Sequence, residues 1–179
     1  MFRVIVTVLA VVVAGILLFA ATRPGVFRIQ RSIVVNAPPE VVFPLINDFH
    51  SWNRWAPQDR SDPTMSRTFS GASSGVGAIS AWRGSGETGA GRMEITGSTV
   101  PSQVTVVVDF EKPFRAHNTN RFDLAPAGSG TTVIWSMEGR NLYFMKVMSL
   151  VVNLDRAMGK HFEEGLRNLK SAAESTSTQ

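Results

Sequence analysis

The chain holds no cysteine. That excludes disulfides, thiolate metal ligands and a thiol nucleophile, and it removes the usual sign of redox compartment. Histidine is scarce too. His50, His117 and His161 lie far apart, with no HxH or HxxxH spacing, so no metal site is expected. No GxSxG elbow and no recognisable Ser/His/Asp arrangement occurs, and no motif calls for a cofactor. Nor is there a field of one sign. The formal net charge is +4, and Arg3 and Arg23, which flank an apolar run, supply two of those charges. The rest of the chain interleaves acids and bases, whereas a nucleic-acid binder tends to cluster its basic residues. No nucleic-acid partner is expected.

One long apolar run is present, Val4 to Ala21, with no charge and a single threonine. As a helix it would reach roughly 27 Å, close to the ~30 Å hydrocarbon core of a bilayer. It is longer than the ~7–15 residues of a signal-peptide core, and Phe19 spoils the small-x-small cleavage pattern before Arg23. A retained anchor is therefore favoured over a cleaved signal. Arg3 lies on one side of it and Arg23, Arg28 and Arg31 on the other, which leaves the orientation open. Thr22 to Gly25 spans at most roughly 14 Å, so a following domain must sit near the headgroups. The expected location is a single-pass membrane protein with the side of the soluble part undetermined.

After the run, Val26 to Val35 alternates like a half-buried strand. Asn36-Ala-Pro-Pro-Glu reads as a helix start with Asn36 as cap, followed by a short helix over Glu40–Asp48 that Pro44 should kink or split. His50 to Pro57 carries Trp52 and Trp55, which suit a second short helix plugging one end of a core, or else one wall of a pocket. Six further strands are expected at Thr64–Ser70, Val76–Arg83, Arg92–Ser98, Gln103–Phe110, Arg115–Leu124 and Thr132–Met137. Short Gly-, Pro- and Ser-rich separators imply antiparallel hairpins.

The stretch Asn141–Ala173 is too long for one straight helix in a domain of this size. Asn153 is a suitable N-cap with Asp155 in the first turn. The expectation is a short apolar helix over Leu142–Val152, a break, and a long helix over Leu154–Ala173. The latter carries Leu154, Met158, Phe162, Gly165, Leu169 and Ala172 on one face, with a Glu163–Arg167 pair on its solvent face. Gly159 and Gly165 read either as close packing or as room for a ligand.

Gly84-Ser-Gly-Glu-Thr-Gly89 matches GxGxxG, but a strand rather than a helix follows it, so it reads as a hairpin turn. Glu94, Glu138 and His161 are the candidates for acid–base chemistry, although strand alternation turns both glutamates away from the expected core face. The apolar residues turned toward the long helix form either a packed core or the lining of a cavity. They include Trp82, Met93, Ile95, Val106, Val108, Phe122, Val133, Trp135 and Met137.

The order of elements, together with several motifs, resembles the START-like helix-grip superfamily (SRPBCC), in particular its polyketide cyclase/dehydrase and lipid-transport family. The motifs are Ile33-Val-Val-Asn-Ala-Pro-Pro-Glu-Val-Val-Phe43, Asn47 to Pro57, Gly89 to Thr96, Phe110 to Phe114, Gly130 to Gly139 and Met158 to Lys170. The resemblance implies an α+β helix-grip fold, a curved antiparallel sheet of about seven strands around the C-terminal helix, to which the apolar run adds an N-terminal transmembrane helix. With the apolar run and the polar C-terminus, this divides the chain into an anchor over 1–23, a helix-grip domain over 24–174 and a disordered tail over 175–179. The resemblance further implies a cavity for a lipid, sterol or polyketide-like molecule, with Trp52, Trp55, Trp82, Met93, Ile95, Phe122, Trp135, Met137, Met158 and Phe162 as its expected lining. No catalytic residue is carried over. Membrane-anchored binding or transport is favoured, a cyclase/dehydrase-type enzyme and a ligandless interaction domain remain open, and a protein partner is undetermined.

Overall fold

A computed structural model describes residues 1–57, 62, 64–85, 88–141, 143–150 and 153–176. The apolar run forms α1 (Phe2–Ala21). Its large side chains are exposed along its length, and Ala20 is its one buried residue. Strand β1 (Val26–Val35) follows with the expected bounds.

Helix α2 (Pro39–Asn47) continues unbroken through Pro44, against the expected split. Proline removes one i→i−4 bond, but here Val42, Phe43, Leu45 and Ile46 are all buried and hold the helix by packing. The cap is also corrected. Pro38 occupies the N-cap, and the Asn36 backbone N–H instead donates to Glu174 at 2.8 Å. A 3-10 helix over Phe49–Arg54 comes next, started by the Asp48 carboxylate accepting from the His50 N–H.

The remaining strands are β2 (Ser66–Gly71), β3 (Ala78–Arg83), β4 (Ala90–Thr99), β5 (Gln103–Lys112), β6 (Ala116–Ala127) and β7 (Gly130–Arg140). They form one antiparallel seven-stranded sheet in the order β1-β7-β6-β5-β4-β3-β2. Consecutive hairpins build it, and the chain's first strand closes onto its last, Val26 opposite Arg140. Alternation selects the inner face: Val104, Val106 and Val108 of β5 are buried. Between β3 and β4 the Gly84 N–H donates to the Gly89 carbonyl at 2.8 Å. The GxGxxG stretch is thus a hairpin connection as expected, with Gly86 and Glu87 outside the described residues.

The C-terminal stretch divides as its pattern suggested. Helix α3 covers Tyr143–Met148, shorter than the expected Leu142–Val152, of which residues 142, 151 and 152 lie outside the described set. Helix α4 (Leu154–Thr176) runs three residues past the expected end. Residues 177–179 of the expected tail lie outside the described set, as does the side chain of Leu154. The Asn153 Oδ1 accepts from the Arg156 N–H at 2.9 Å, the bond of an N-cap to the third helical residue. Phe162, Leu166, Leu169, Ala172 and Ala173 of α4 are buried against the inner face of the sheet.

Candidate functional site

The register places two different interiors at the two ends of the sheet. At one end Trp52 and Trp55 are anchored through their indole N–H groups to the carbonyls of Ile46 and Leu45 at 2.9 and 2.8 Å. They pack with Phe49 and Phe122 in edge-on contacts. Ile95, Val104, Leu124, Leu166 and Leu169 complete a solid core there.

Toward the other end the packing opens. A cavity of about 130 Å³ is lined by Trp52, Ala56, Pro57, Trp82, Met93, Val108, Phe110, Asn120, Trp135, Met137, Met158, His161 and Phe162. Phe162 of α4 stacks flat on Trp135 with centroids 4.2 Å apart and planes 6° apart, and Trp135 meets Trp55 edge-on. This aromatic layer separates cavity from core. Trp52, Trp82, Met93, Trp135, Met137, Met158 and Phe162, all expected from sequence, surround the space. Trp55, Ile95 and Phe122 are fully buried in the solid core beyond it.

Strand patterning had not singled out Phe110 and Asn120 as lining. Asn120 is 4% exposed, and its Oδ1 accepts from the Trp135 Nε1–H at 3.0 Å. Among the described residues its Nδ2 donor has no partner. A polar residue at an inward register position of β6 was the available signal. His161 lies in the second turn of α4. Burial pushes its imidazole below the ordinary value, and Glu164 offsets this only in part, so it is neutral at pH 7. The cavity is thus an apolar space with one amide donor and one neutral imidazole.

Glu94 is not part of it; its carboxylate binds Arg92 at 2.6 Å. Glu138 pairs with Arg28 at 3.3 Å. His50 is bound to Asp48 and stacked on Phe69, and His117 is bound to Asp109. Among the described residues no cluster of three His, Asp or Glu side chains is placed to hold a metal. A wider depression of about 670 Å³, lined by residues including Asp109, Lys112 and His117, lies beside the β5–β6 hairpin but is open to solvent.

Two polar clamps hold the walls. Arg31 of β1 binds Asp155 at 2.9 Å and Glu163 at 2.9 Å, fastening the first turns of α4 to the sheet. Its pKa is raised by these bonds, Asp155 first, and that of Asp155 is lowered in return. Glu163 therefore crosses to β1 instead of pairing with Arg167, and among the described residues the ion pair along the helix is Lys170–Glu174. Asp62 accepts from the Thr64 hydroxyl and N–H at 2.6 and 2.9 Å and from the Ser85 N–H at 2.9 Å, which ties the segment before β2 to the β3–β4 loop. These bonds, that of the Thr64 hydroxyl foremost, hold its carboxyl well below the usual range.

The two helix glycines are both sites of close packing. A Cβ at Gly165 would stand 2.8 Å from the Trp135 ring and 3.2 Å from Pro57. One at Gly159 would run into the Arg31 guanidinium.

Residues 26–174 match the family model described as polyketide cyclase/dehydrase and lipid transport. No curated protein matches the chain. Among solved structures, a Nitrosospira multiformis protein superposes with a TM-score of 0.61 at 20% identity, covering 86% of this chain and 100% of its own. A Chromobacterium violaceum protein does so with a TM-score of 0.59 at 15% identity, covering 85% and 99%. Ara h 8.0201 gives 0.61 at 11% identity, covering 84% and 99%. At such identities the likeness establishes the helix-grip fold alone.

Proposed function

The chain belongs to the polyketide cyclase/dehydrase and lipid transport family, and from that premise we propose that it is a membrane-anchored module that binds a hydrophobic small molecule between the sheet and α4. The observation that carries this reading is the apolar space beside Trp135, next to the fully buried Trp55, Ile95 and Phe122. Its 130 Å³ falls below the roughly 300–1,000 Å³ of pockets for drug-sized ligands. It matches a single ring or a short acyl segment. Met93, Met137 and Met158 are unbranched and re-pack readily, so a longer molecule enters by displacing them.

Asn120 and His161 define the polar requirement. A ligand carrying one carbonyl or hydroxyl oxygen satisfies the free Asn120 donor, which an alkane leaves unpaired. The anchoring half of the proposal rests on α1, a 20-residue helix whose one charge, Arg3, stands at its first turn and which has almost no buried surface. Water disfavours such a helix, whereas a bilayer core accommodates it.

Cyclase or dehydrase chemistry would need an acid and a base at the reacting atoms. His161 is the one titratable side chain lining the cavity among the described residues. Binding without turnover is therefore the reading we hold.

The test uses the full chain in lipid nanodiscs. Three of the four tryptophans line the cavity, so titration with a naphthyl ketone should quench their emission. The hydrocarbon of the same shape should bind roughly threefold to tenfold more weakly, the net worth of one hydrogen bond. Met158→Phe, followed by probe fluorescence, should weaken uptake while leaving the melting temperature in place. Absence of both probe uptake and any co-purifying apolar molecule would overturn the proposal.

A further inference from the structure

The cavity end of the sheet is also the end that α1 joins. Val26 faces Arg140, Gly139 faces Asn118, Ala116 faces Phe110, and Phe110 faces Gly91 beside Trp82. Along this end the described surface carries large apolar side chains that the fold leaves uncovered. Phe114 at the β5–β6 tip is 60% exposed, and Tyr143, Phe144 and Met148 of α3 are 49%, 43% and 46% exposed. The Phe114 and Phe144 rings touch, with centroids 5.0 Å apart.

One hydrogen bond sets the depth of this patch. The Tyr143 hydroxyl donates to the Leu17 carbonyl of α1 at 2.7 Å. Leu17 lies four residues, roughly 6 Å, before the end of α1 at Ala21. If α1 spans a bilayer, its last turn occupies the boundary between acyl chains and headgroups, and α3 is pinned at that level. Asn141 reinforces the placement by donating its N–H to the Gly25 carbonyl and its side-chain amide to the Pro24 carbonyl.

The charges fit the same position. Lys112 and Arg115 flank the Phe114 tip, Lys146 lies on α3, and Arg23 and Arg140 stand at the junction with α1. None of these five forms an ion pair among the described residues, and Glu111 is the acid nearest the tip in sequence. Aromatic side chains rimmed by basic ones suit the interfacial zone, where rings sit among the headgroups and lysine or arginine meets lipid phosphate.

We propose that Phe114, Tyr143, Phe144 and Met148, with Lys112, Arg115 and Lys146, form a second membrane contact that lays the cavity end of the domain flat on an anionic lipid surface. The proposal rests on α1 being a membrane span and deepens that reading. Anionic headgroups are the occupant because each unpaired cation gains near a negative surface. The consequence is that the cavity stands beside the headgroups, so an apolar ligand can pass between bilayer and protein without crossing water.

The chain lacks cysteine, so single-cysteine variants can be labelled cleanly with an environment-sensitive nitrobenzoxadiazole dye. We would label G15C in α1, F114C and F144C in the patch, and V100C at the opposite end of the sheet, where Val100 is 73% exposed. Each full-chain variant is reconstituted into phosphatidylcholine vesicles with and without phosphatidylglycerol. Labels at 114 and 144 should emit to the blue, be quenched by nitroxides near the headgroups, and be shielded several-fold from aqueous iodide relative to the label at 100. Phosphatidylglycerol should increase the shielding, and K112E/R115E/K146E should abolish that increase. Quenching of the label at 15 by mid-chain nitroxides, with labels at 114 and 144 as accessible as that at 100, would overturn the second contact while leaving the anchor in place. A label at 15 open to iodide would overturn the anchor and the contact together. Labels at 114 and 144 shielded equally in both lipids, with no effect of charge reversal, would overturn the anionic preference.

Discussion

At the residue scale, Trp135 is the pivot between packing and site. Its indole N–H is satisfied by Asn120, its ring is stacked by Phe162, and Gly165 lets α4 approach it. Gly165→Ala gains about 1 kcal/mol of helix propensity but pushes a methyl group into the ring and Pro57, and overpacking costs about 1–3 kcal/mol. We expect net destabilisation of about 1 kcal/mol in urea unfolding, with altered tryptophan emission. His161 gives a pH signature. Its folded pKa lies below the unfolded value because burial disfavours the imidazolium. The unfolded state therefore takes up the proton first, and stability falls as pH drops from about 6.5 toward the folded value, then levels off. His161→Gln should flatten the melting temperature across that window and leave it unchanged above about pH 7.

At the scale of elements, caps and clamps decide how α4 meets the sheet. Asn153 begins the helix, and Asn153→Ala should cost about 1 kcal/mol, read as a lowered urea midpoint. The Asp62 clamp holds the segment before β2 against the β3–β4 loop beside Trp82. Its carboxyl is depressed in the folded state, so its contribution is present above the ordinary carboxylate range and is lost as pH falls through and below that range. Asp62→Asn should lower the melting temperature at neutral pH and make the acid-induced loss shallower. The pairing of Glu163 with Arg31 shows why i, i+4 spacing misled at this position. The helix face carrying Glu163 lies against β1, and a guanidinium already fixed by Asp155 is the nearer partner.

For the whole molecule, α1 and the helix-grip domain are joined chiefly by its packing on α3, buried Ala20 and the Tyr143–Leu17 bond, while the Asn141 bonds to Pro24 and Gly25 lie beyond the end of α1. The hydrophobic core cluster of the domain includes no α1 residue. A chain beginning at residue 24 should therefore keep its β-sheet circular dichroism and melt within a few degrees of the full chain, while amide exchange in α3 accelerates. Loss of cooperative unfolding on this truncation would show that α1 is part of the folded core.

Read alone, the sequence was enough for the order of elements, the seven strands and the Asn153 break. These follow from local rules: alternation of period two, helical spacing, turn residues and a capping side chain. It also determined the apolar run, since hydropathy needs no partner. Tertiary structure alone decided where packing stops. Trp55, Ile95 and Phe122 share the pattern of Trp82, Met93 and Trp135, yet they fill the solid end, because whether facing side chains meet depends on the distance between sheet and helix at each level. The same holds for Asn120, whose polarity at an inward position becomes a free donor only once Trp135 takes its oxygen. It holds again for Phe114 and Phe144, thirty residues apart in sequence, which become one surface because the β5–β6 tip and α3 arrive at the same end of the sheet.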